Sequence, residues 1–310
     1  MTEEKKYFYG PVPSRRLGLS YGVDIVPFKV CTLDCIYCQL GKATDLTVER
    51  REYGPIGPIL SELKEILAEG LKTDFITIAG SGEPTLNSQL GELIDGIKKI
   101  TDIPVAILTN GTLFYKEDVR ADCAKADVVM PSLDAGDAET FRKVNRPHRD
   151  INIENLISGL STFRDEFVGQ IWLEVFFIEG LNTDSVQIAK IRNAIERIRP
   201  DKIQLNTAVR PTVEPNIMRL DNEMLQAIAV QLGPKCEVVA DFSVTHYGKF
   251  PENKANDVLS MLKRRPCSLD DISSGLGIGR NEAIKYIRNL QNQGLIHSEQ
   301  KDGIIFFKAN

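Results

Sequence analysis

The stretch from Val23 to Cys38 reads VDIVPFKVCTLDCIYC, and its two halves differ in character. Its first part, Val23–Pro27, is apolar and rich in β-branched residues, which predicts a short strand. Three cysteines follow with C-x3-C-x2-C spacing, at Cys31, Cys35 and Cys38. Three thiolates within eight residues can bind one face of a metal centre. We therefore expect a strand that leads into a metal-binding loop.

Strand-like runs alternate with helix-like segments over most of the chain. Segments with apolar residues at three- and four-residue spacing, such as Ile59–Ala68 and Leu90–Ile100, predict helices between the strands. Repeated β–α units predict an α/β fold with a parallel sheet, as in a partial or full (β/α) barrel. A doubly wound open sheet is the alternative. The other candidate strands are Phe75–Ala79, Val105–Leu108, Val128–Met130, Ile171–Ile178, Ile203–Asn206 and Glu237–Ala240.

The pattern changes around Phe250–Asn256, so we place a barrel domain at residues 1–250 and a small domain at 251–310. The sequence of the small domain predicts three helices and then a β-hairpin through an Asp302-Gly303 turn, which is the outline of a winged helix. Its third helix carries Arg280, Lys285 and Arg288. We expect this domain to bind nucleic acid, or a protein or peptide. The predicted elements are Asn256–Lys263, Leu269–Ser274, Arg280–Gln293, Leu295–Glu299 and Ile304–Lys308.

The composition is that of a folded protein without membrane spans. The chain has 310 residues, of which 42% are hydrophobic, and its formal net charge is -5. No stretch approaches the ~20 continuous apolar residues of a membrane helix, and the polar start lacks a signal-peptide pattern. We therefore expect a cytoplasmic protein with no membrane partner. In that reducing compartment, clustered cysteines bind metal or act in redox chemistry more often than they form disulfides.

The three clustered cysteines favour an iron–sulfur cluster over zinc. A structural zinc site needs four cysteine or histidine ligands, and the nearest further candidates, Cys123 and His148, are far along the chain. With three cysteine ligands, one iron of a [4Fe–4S] cluster stays open for a substrate or cofactor. Zinc with a distant fourth ligand, or free thiols, is the alternative. The remaining thiols, Cys236 and Cys267 among them, have no second-cluster spacing, which favours buried inert cysteines.

The cysteine motif, with Tyr37 directly before the last cysteine, resembles the signature of the radical S-adenosylmethionine (SAM) superfamily. The resemblance implies that Cys31, Cys35 and Cys38 hold a [4Fe–4S] cluster whose open iron binds the amino and carboxylate groups of SAM. Reduction then cleaves the sulfonium to methionine and a 5′-deoxyadenosyl radical, which abstracts a hydrogen atom from the substrate. The cofactors supply this chemistry, while the protein supplies orientation and a closed site.

A second segment, AGSGEP at Ala79–Pro84, resembles the GGEP motif that binds the amino group of SAM in this superfamily. Ser81 replaces the first glycine of that motif. The alternative interpretation is a tight turn between a strand and a helix. The residues that we assign to this part of the SAM site are Gly80, Ser81, Gly82, Glu83 and Pro84.

Polar residues also follow the later candidate strands, where barrel active sites form. Ser132 and Asp134 suit ribose hydroxyls, although Asp134 could instead cap the helix that begins near Ala138. The full set of candidate cofactor- or substrate-binding residues at these ends is Thr109, Asn110, Ser132, Asp134, Glu179, Asn182 and Asn206.

Two arginine-containing segments flank the predicted site, Pro11–Gly18 with Arg15 and Arg16, and Asn145–His148 with Arg146. Arginines can bind carboxylate or phosphate groups through paired hydrogen bonds; surface ion pairs are the alternative. The segment PVPSRRLG, together with the cysteine loop, resembles a radical SAM subgroup related to the tRNA wybutosine-synthesising enzymes.

These features predict an enzyme that modifies a macromolecule, RNA or protein, by radical chemistry. A radical SAM enzyme for a small molecule is one alternative. A redox-sensing, DNA-binding regulator is another, and a zinc-bound adaptor is a third. Because no flavin or nicotinamide motif is present, we expect an external low-potential electron donor, ferredoxin or flavodoxin.

Overall fold

The computed structural model describes residues 7–14, 16–239 and 254–310. In the first two ranges the strands are β1 Phe8–Ser14, β2 Gly18–Val23, β3 Val30–Cys31, β4 Asp45–Leu46, β5 Phe75–Ile78, β6 Val105–Thr109, β7 Val128–Pro131, β8 Gln170–Phe177, β9 Lys202–Thr207 and β10 Cys236–Val238. The helices there are α1 Ile56–Ala68, α2 Leu90–Ile100, α3 Glu117–Cys123, α4 Ala138–Asn145, α5 Ile153–Glu166, α6 Ser185–Ile198 and α7 Asn222–Leu232, with a 3-10 turn at Pro84–Leu86. Among the described residues, no helix is long and apolar enough to cross a bilayer.

Eight strands form one sheet in the order β1-β2-β5-β6-β7-β8-β9-β10. Strand β1 is antiparallel to β2, and each later neighbour in the sheet is parallel. A doubly wound sheet would reverse its strand order at a switch point, whereas this order follows the chain throughout. The α/β fold is therefore confirmed, and its strand order is that of a barrel.

The sheet curls instead of lying flat. Phe75 of β5 and Trp172 of β8 have ring centroids 6.3 Å apart, although two strands lie between them. Three flat strand spacings would separate them by roughly 14 Å. Leu17 packs with Trp172 in the same apolar cluster on the concave face. The helices cover the convex face through a larger cluster, so this part of the chain is a partial (β/α) barrel.

The first strands differ from the sequence prediction. We expected a strand at Val23–Pro27, but β2 ends at Val23, and residues 24–29 form irregular backbone. Strand β1 was not predicted because Pro11 and Pro13 interrupt it, and proline is accepted in a sheet mainly at an edge. The strand that leads into the cysteine loop therefore begins earlier than expected and ends eight residues before Cys31.

The C-terminal module, residues 254–310, has its three helices and its hairpin in the predicted order: α8 Lys254–Arg264, α9 Leu269–Gly275, α10 Arg280–Asn292, β12 Ile296–Lys301 and β13 Ile304–Ala309. A short strand that was not predicted, β11 Cys267–Ser268, lies between α8 and α9. Its strands form an antiparallel sheet in the order β11-β13-β12, and its helices enclose a separate apolar core. Its assignment as a winged helix stays a prediction, and the proposed boundary near residue 251 lies outside the described residues.

Buried charges join the module to the barrel. Arg210, which follows β9, pairs with Asp271 of α9 at 3.2 Å, and both residues are at most 8% exposed. Arg264 of α8 pairs with Asp24 at 2.9 Å and lies 3.6 Å from the centre of the Tyr9 ring. These contacts fix the module beside the ends of the first barrel strands.

Replacing Asp271 with alanine is expected to lower the free energy of unfolding by about 3–5 kcal/mol, because it leaves the buried Arg210 guanidinium without its counter-charge. The adjacent Asp270 pairs with Arg280 on the surface, so Asp270→Ala is a matched control expected to cost under ~1 kcal/mol. Urea unfolding monitored by circular dichroism measures both. Equal midpoints for the two variants would contradict a structural role for the buried pair.

Candidate active site

The cysteine loop is held by the backbone of the segment that follows α4. Ile36 N donates to Val144 O at 3.0 Å, and His148 N donates to Thr32 O at 2.9 Å. The Asn145–His148 segment, which we considered as an anion clamp, therefore supports the cysteine loop. Its Arg146 pairs with Glu214 at 2.7 Å.

Each cysteine of the loop has a nitrogen donor from a different side chain. Hydrogen bonds to cysteine sulfur stabilise the thiolate and tune the reduction potential of an iron–sulfur cluster. The sequence did not predict these donors as a set. They are Asn110 Nδ2, 3.6 Å from Cys31 Sγ; Asn145 Nδ2, 3.5 Å from Cys35 Sγ; and Lys29 Nζ, 3.0 Å from Cys38 Sγ.

Burial governs the protonation of this cluster of thiols. It raises the pKa of Cys31 to about 11 and the pKa of Cys35 well above its ordinary value. Burial is the largest single influence on Lys29 and acts to lower its pKa, but Cys38, Cys31 and Cys35 together raise it, so the net shift is upward. Binding of iron to these thiols would therefore release protons.

The three thiols fit a cluster with an open iron. Each thiolate of a cubane cluster binds a different iron, so the sulfurs need not converge on one point. Within the described ranges, no group of three or more histidine, cysteine or acidic side chains is placed to hold a single metal ion. The donor set at this loop is three thiols from Cys31, Cys35 and Cys38, surrounded by amide and ammonium donors.

The predicted SAM loop, Gly80–Pro84, lies directly against the cysteine loop. Lys29 N donates to Ser81 O at 2.6 Å, and Glu83 N donates to Val30 O at 3.0 Å. A Cβ atom on Gly82 would lie 2.2 Å from Val30 O, so only glycine allows this approach. The two motifs, separated by more than 40 residues in sequence, therefore form one backbone unit.

Glu83 ties this unit to the end of β6. Its Oε1 accepts hydrogen bonds from Thr85 N, Thr85 Oγ1 and Thr109 Oγ1, and its Oε2 accepts one from Asn110 N at 2.7 Å. The side chain is only 2% exposed. Burial raises the pKa of Glu83, while the same hydrogen bonds act to lower it. Glu83 thus orients Thr109 and Asn110 and has acceptor capacity left on Oε2.

Asp24 is a site residue that we did not predict. Its Oδ2 accepts hydrogen bonds from Ser81 Oγ at 2.6 Å and Ser81 N at 3.1 Å, and it also pairs with Arg264. A Cβ atom on Gly80 would lie 2.2 Å from Asp24 Cγ, so glycine is also required there. The available signal was a carboxylate inside the apolar run VDIV.

Tyr37 and Asp134 meet below the cysteine loop. Tyr37 stacks on Phe176 with a centroid distance of 4.0 Å, and its hydroxyl donates to Asp134 Oδ2. Asn145 Nδ2 and Phe176 N also donate to the Asp134 carboxylate. Burial raises the pKa of Asp134 to about 6 against these hydrogen bonds. Asp137, not Asp134, caps α4, so the capping alternative for Asp134 is wrong.

The other residues that were predicted to bind the cofactor or substrate divide into a partly exposed group and a buried one. Asn206 donates to Glu174 Oε1 at 2.8 Å, and Arg16 pairs with Glu174 Oε2 at 2.6 Å, so these three lie together near the partly exposed Ser132. Asn182 is fully buried and binds only backbone groups, including Asp134 O and Phe176 O, so its role is structural.

Two other predicted residues, Glu179 and Arg15, are not placed at the cysteine loop by the described structure. Glu179 is exposed on the surface after β8, and no side-chain hydrogen bond or ion pair among the described residues brings it to the cysteine loop. Arg15 lies outside the described residues. The six cysteines are free thiols, with Cys123 and Cys267 buried in different apolar cores.

The sequence profile of the radical SAM superfamily matches residues 25–191, which contain both loops. The chain belongs to the radical SAM superfamily. A [4Fe–4S] cluster and SAM are the cofactors of this superfamily. The assignment of Cys31, Cys35 and Cys38 as the three ligands of the cluster stays a prediction.

Similar proteins match nearly the whole chain. A UPF0026 protein of Methanocaldococcus jannaschii is 31% identical over 97% of this chain and 95% of its own length. A protein of Brachyspira hyodysenteriae named GTPase Obg is 36% identical over 98% of this chain, which spans only 45% of that relative. The structure of TYW1 with a lysine–pyruvate adduct matches with a TM-score of 0.54 and 21% identity, covering 74% of this chain and 78% of TYW1. This last likeness concerns the fold alone.

Replacing Glu83 with alanine is expected to weaken SAM binding at least about tenfold. The reason is that Oε2, and the backbone that Glu83 orients, would make a charge-assisted contact with the amino group of SAM. The iron content should stay near that of the wild type, since Glu83 contacts no thiol in the described hydrogen bonds. Isothermal titration with SAM on the anaerobic, cluster-containing protein measures the affinity.

Two further variants complete this test. Glu83→Gln keeps the side-chain volume and should show an intermediate SAM affinity, whereas Glu179→Ala removes an exposed glutamate and should bind as the wild type does. Unchanged SAM affinity in Glu83→Ala would remove Glu83 from the SAM site.

Proposed function

We propose that this protein cleaves SAM reductively and uses the resulting 5′-deoxyadenosyl radical to modify a macromolecule, RNA or protein. The observation that carries this proposal is the contact between the cysteine loop and the Gly80–Pro84 loop. When bound, the cluster would supply the electron that cleaves the bond between sulfur and C5′ of SAM into methionine and the radical. The radical then takes a hydrogen atom from the substrate and leaves as 5′-deoxyadenosine.

The protein's own residues position the reactants. Cys31, Cys35 and Cys38 would hold the cluster and leave one iron for the amino and carboxylate groups of SAM. The Gly80–Pro84 loop and Glu83 would receive the amino group, with Thr109 and Asn110 held beside it. Ser132 is a proposed partner of the ribose. The carboxylate of Asp134 is already bound by Tyr37, Asn145 and Phe176 N, so Asp134 would position its neighbours instead. Burial of this network keeps bulk water from the radical.

The C-terminal module supports a macromolecular substrate. Helix α10 presents Arg280, Lys285 and Arg288 as exposed residues, and the module is fixed at the barrel opening by Arg264 and Asp24. A small-molecule enzyme would have no need of such an accessory surface. The chemistry requires a reductant, for which we propose ferredoxin or flavodoxin. We also propose that the protein works in the cytoplasm.

The test is anaerobic reconstitution with iron and sulfide, followed by electron paramagnetic resonance and product analysis after reduction with SAM. We expect about four iron atoms per chain, a reduced-cluster signal that changes when SAM is added, and formation of 5′-deoxyadenosine. Cys31→Ala, Cys35→Ala and Cys38→Ala should each lose the intact cluster and the product. Cys236→Ala is the matched control, because Cys236 lies at the opposite edge of the sheet.

Several outcomes would contradict the proposal. A colourless protein that binds one zinc ion would favour the adaptor alternative. A cluster that is indifferent to SAM, in a protein that binds specific DNA, would favour the redox sensor. Product formation in a variant that lacks all three loop cysteines would show that the assigned ligands are wrong.

A further inference from the structure

A cavity of about 920 Å³ lies between the barrel and the C-terminal module. The barrel contributes Asp24, Phe28 and Ser81 to its wall, and the module contributes residues of α8 and the end of β13. Its volume is that of a typical ligand-binding cleft. Since Ser81 belongs to the Gly80–Pro84 loop, any molecule in this cavity lies next to the SAM loop.

The charge of the cavity is opposite to that of the chain. Among the described residues that line it, four side chains are basic and only Asp24 is acidic, giving +3 within a chain of net charge -5. The basic residues are Lys263, Arg264, Arg265 and Lys308. Arg264 already neutralises Asp24, whereas Arg265 and Lys308 form no ion pair with a carboxylate of the described residues. The cavity is therefore suited to an anion.

An exposed aromatic ring lies in the same wall. Phe28 is 52% exposed, which is unusual for a phenylalanine, and it directly precedes Lys29 and the cysteine loop. Basic side chains beside an exposed ring are the combination by which proteins bind phosphates and stack a nucleobase. An acidic peptide would pair with the basic side chains of the cavity, but it would offer no group that stacks on the ring of Phe28.

We propose that this cavity binds a nucleotide of the substrate, with its phosphates at Arg265 and Lys308 and its base on Phe28. The inference rests on the proposed function, and it selects a substrate that contains a nucleotide over a protein. The nucleotide can belong to a single-stranded RNA or be a free nucleotide, and the experiment separates these two sources.

The experiment measures fluorescence anisotropy of a labelled, mixed-sequence single-stranded RNA of about 12 nucleotides with the full-length, cluster-containing protein under anaerobic conditions. A labelled poly-glutamate of equal charge is the comparison probe, and unlabelled GTP is the competitor. The variants are Arg265→Gln with Lys308→Gln, and Phe28→Leu. The control is Lys64→Gln on the exposed face of α1, and Lys285→Gln with Arg288→Gln tests α10 as the alternative binding surface.

We expect the double variant at Arg265 and Lys308 to weaken RNA binding about tenfold. The slope of the logarithm of the binding constant against the logarithm of the salt concentration should fall by roughly one to two, as for the loss of one to two phosphate contacts. Phe28→Leu should weaken RNA binding about fivefold or more while leaving poly-glutamate binding unchanged. Lys64→Gln should change neither. Competition by GTP at an affinity equal to that of the RNA would support a free nucleotide as the ligand.

Two results would overturn the inference. Binding of poly-glutamate as tight as that of RNA, with no effect of Phe28→Leu, would identify the cavity as a site for acidic peptides. RNA binding that is lost in the Lys285 and Arg288 variant but kept in the cavity variants would place the RNA on α10. SAM cleavage by the wild type is measured in parallel with and without RNA, and its absence under both conditions would refute the proposed function while leaving the binding result intact.

Discussion

The close approach of Gly82 to the Val30 carbonyl is the contact on which the rest of the site depends. The backbone of the Gly80–Pro84 loop donates to and accepts from the start of the cysteine loop, and no side chain fits between them. A cluster on one loop and a ligand on the other must therefore be adjacent. Since the contact is made by backbone atoms, its geometry does not depend on the rotamer of any long side chain.

Around this contact, the barrel satisfies buried polar groups by linking strand ends to one another. Glu83 joins the end of β5 to the end of β6, and Asp134 joins the end of β7 to β8 and to the cysteine loop through Tyr37. An unsatisfied buried carboxylate would be costly, so each one is surrounded by donors. The same hydrogen bonds that satisfy these carboxylates also fix Asn110 and Asn145 beside Cys31 and Cys35. Stability and positioning of the thiols are thus provided by one network.

The sequence predicts the parts of this site that are local and misses those that depend on contacts far apart in the chain. The spacing of Cys31, Cys35 and Cys38 and the apolar runs near Phe75 and Val105 contain their own signals, and the fold class follows from them. The role of Asp24 could not be predicted, because Arg264 reaches it from 240 residues away. Asn182 was misjudged for a related reason: a polar residue at a strand end can face a ligand or satisfy buried backbone, and sequence alone does not distinguish these.

Asp24 connects the C-terminal module to the Gly80–Pro84 loop of the barrel. One carboxylate oxygen accepts from Ser81 in the SAM loop and pairs with Arg264 of α8, so both sides of the basic cavity meet at a single atom. A ligand that attracts Arg264 would compete with Asp24 for the guanidinium and thereby alter the hydrogen bonds that hold Ser81. Binding at the cavity and binding at the SAM loop would then be coupled in both directions, since a coupling free energy between two sites is reciprocal.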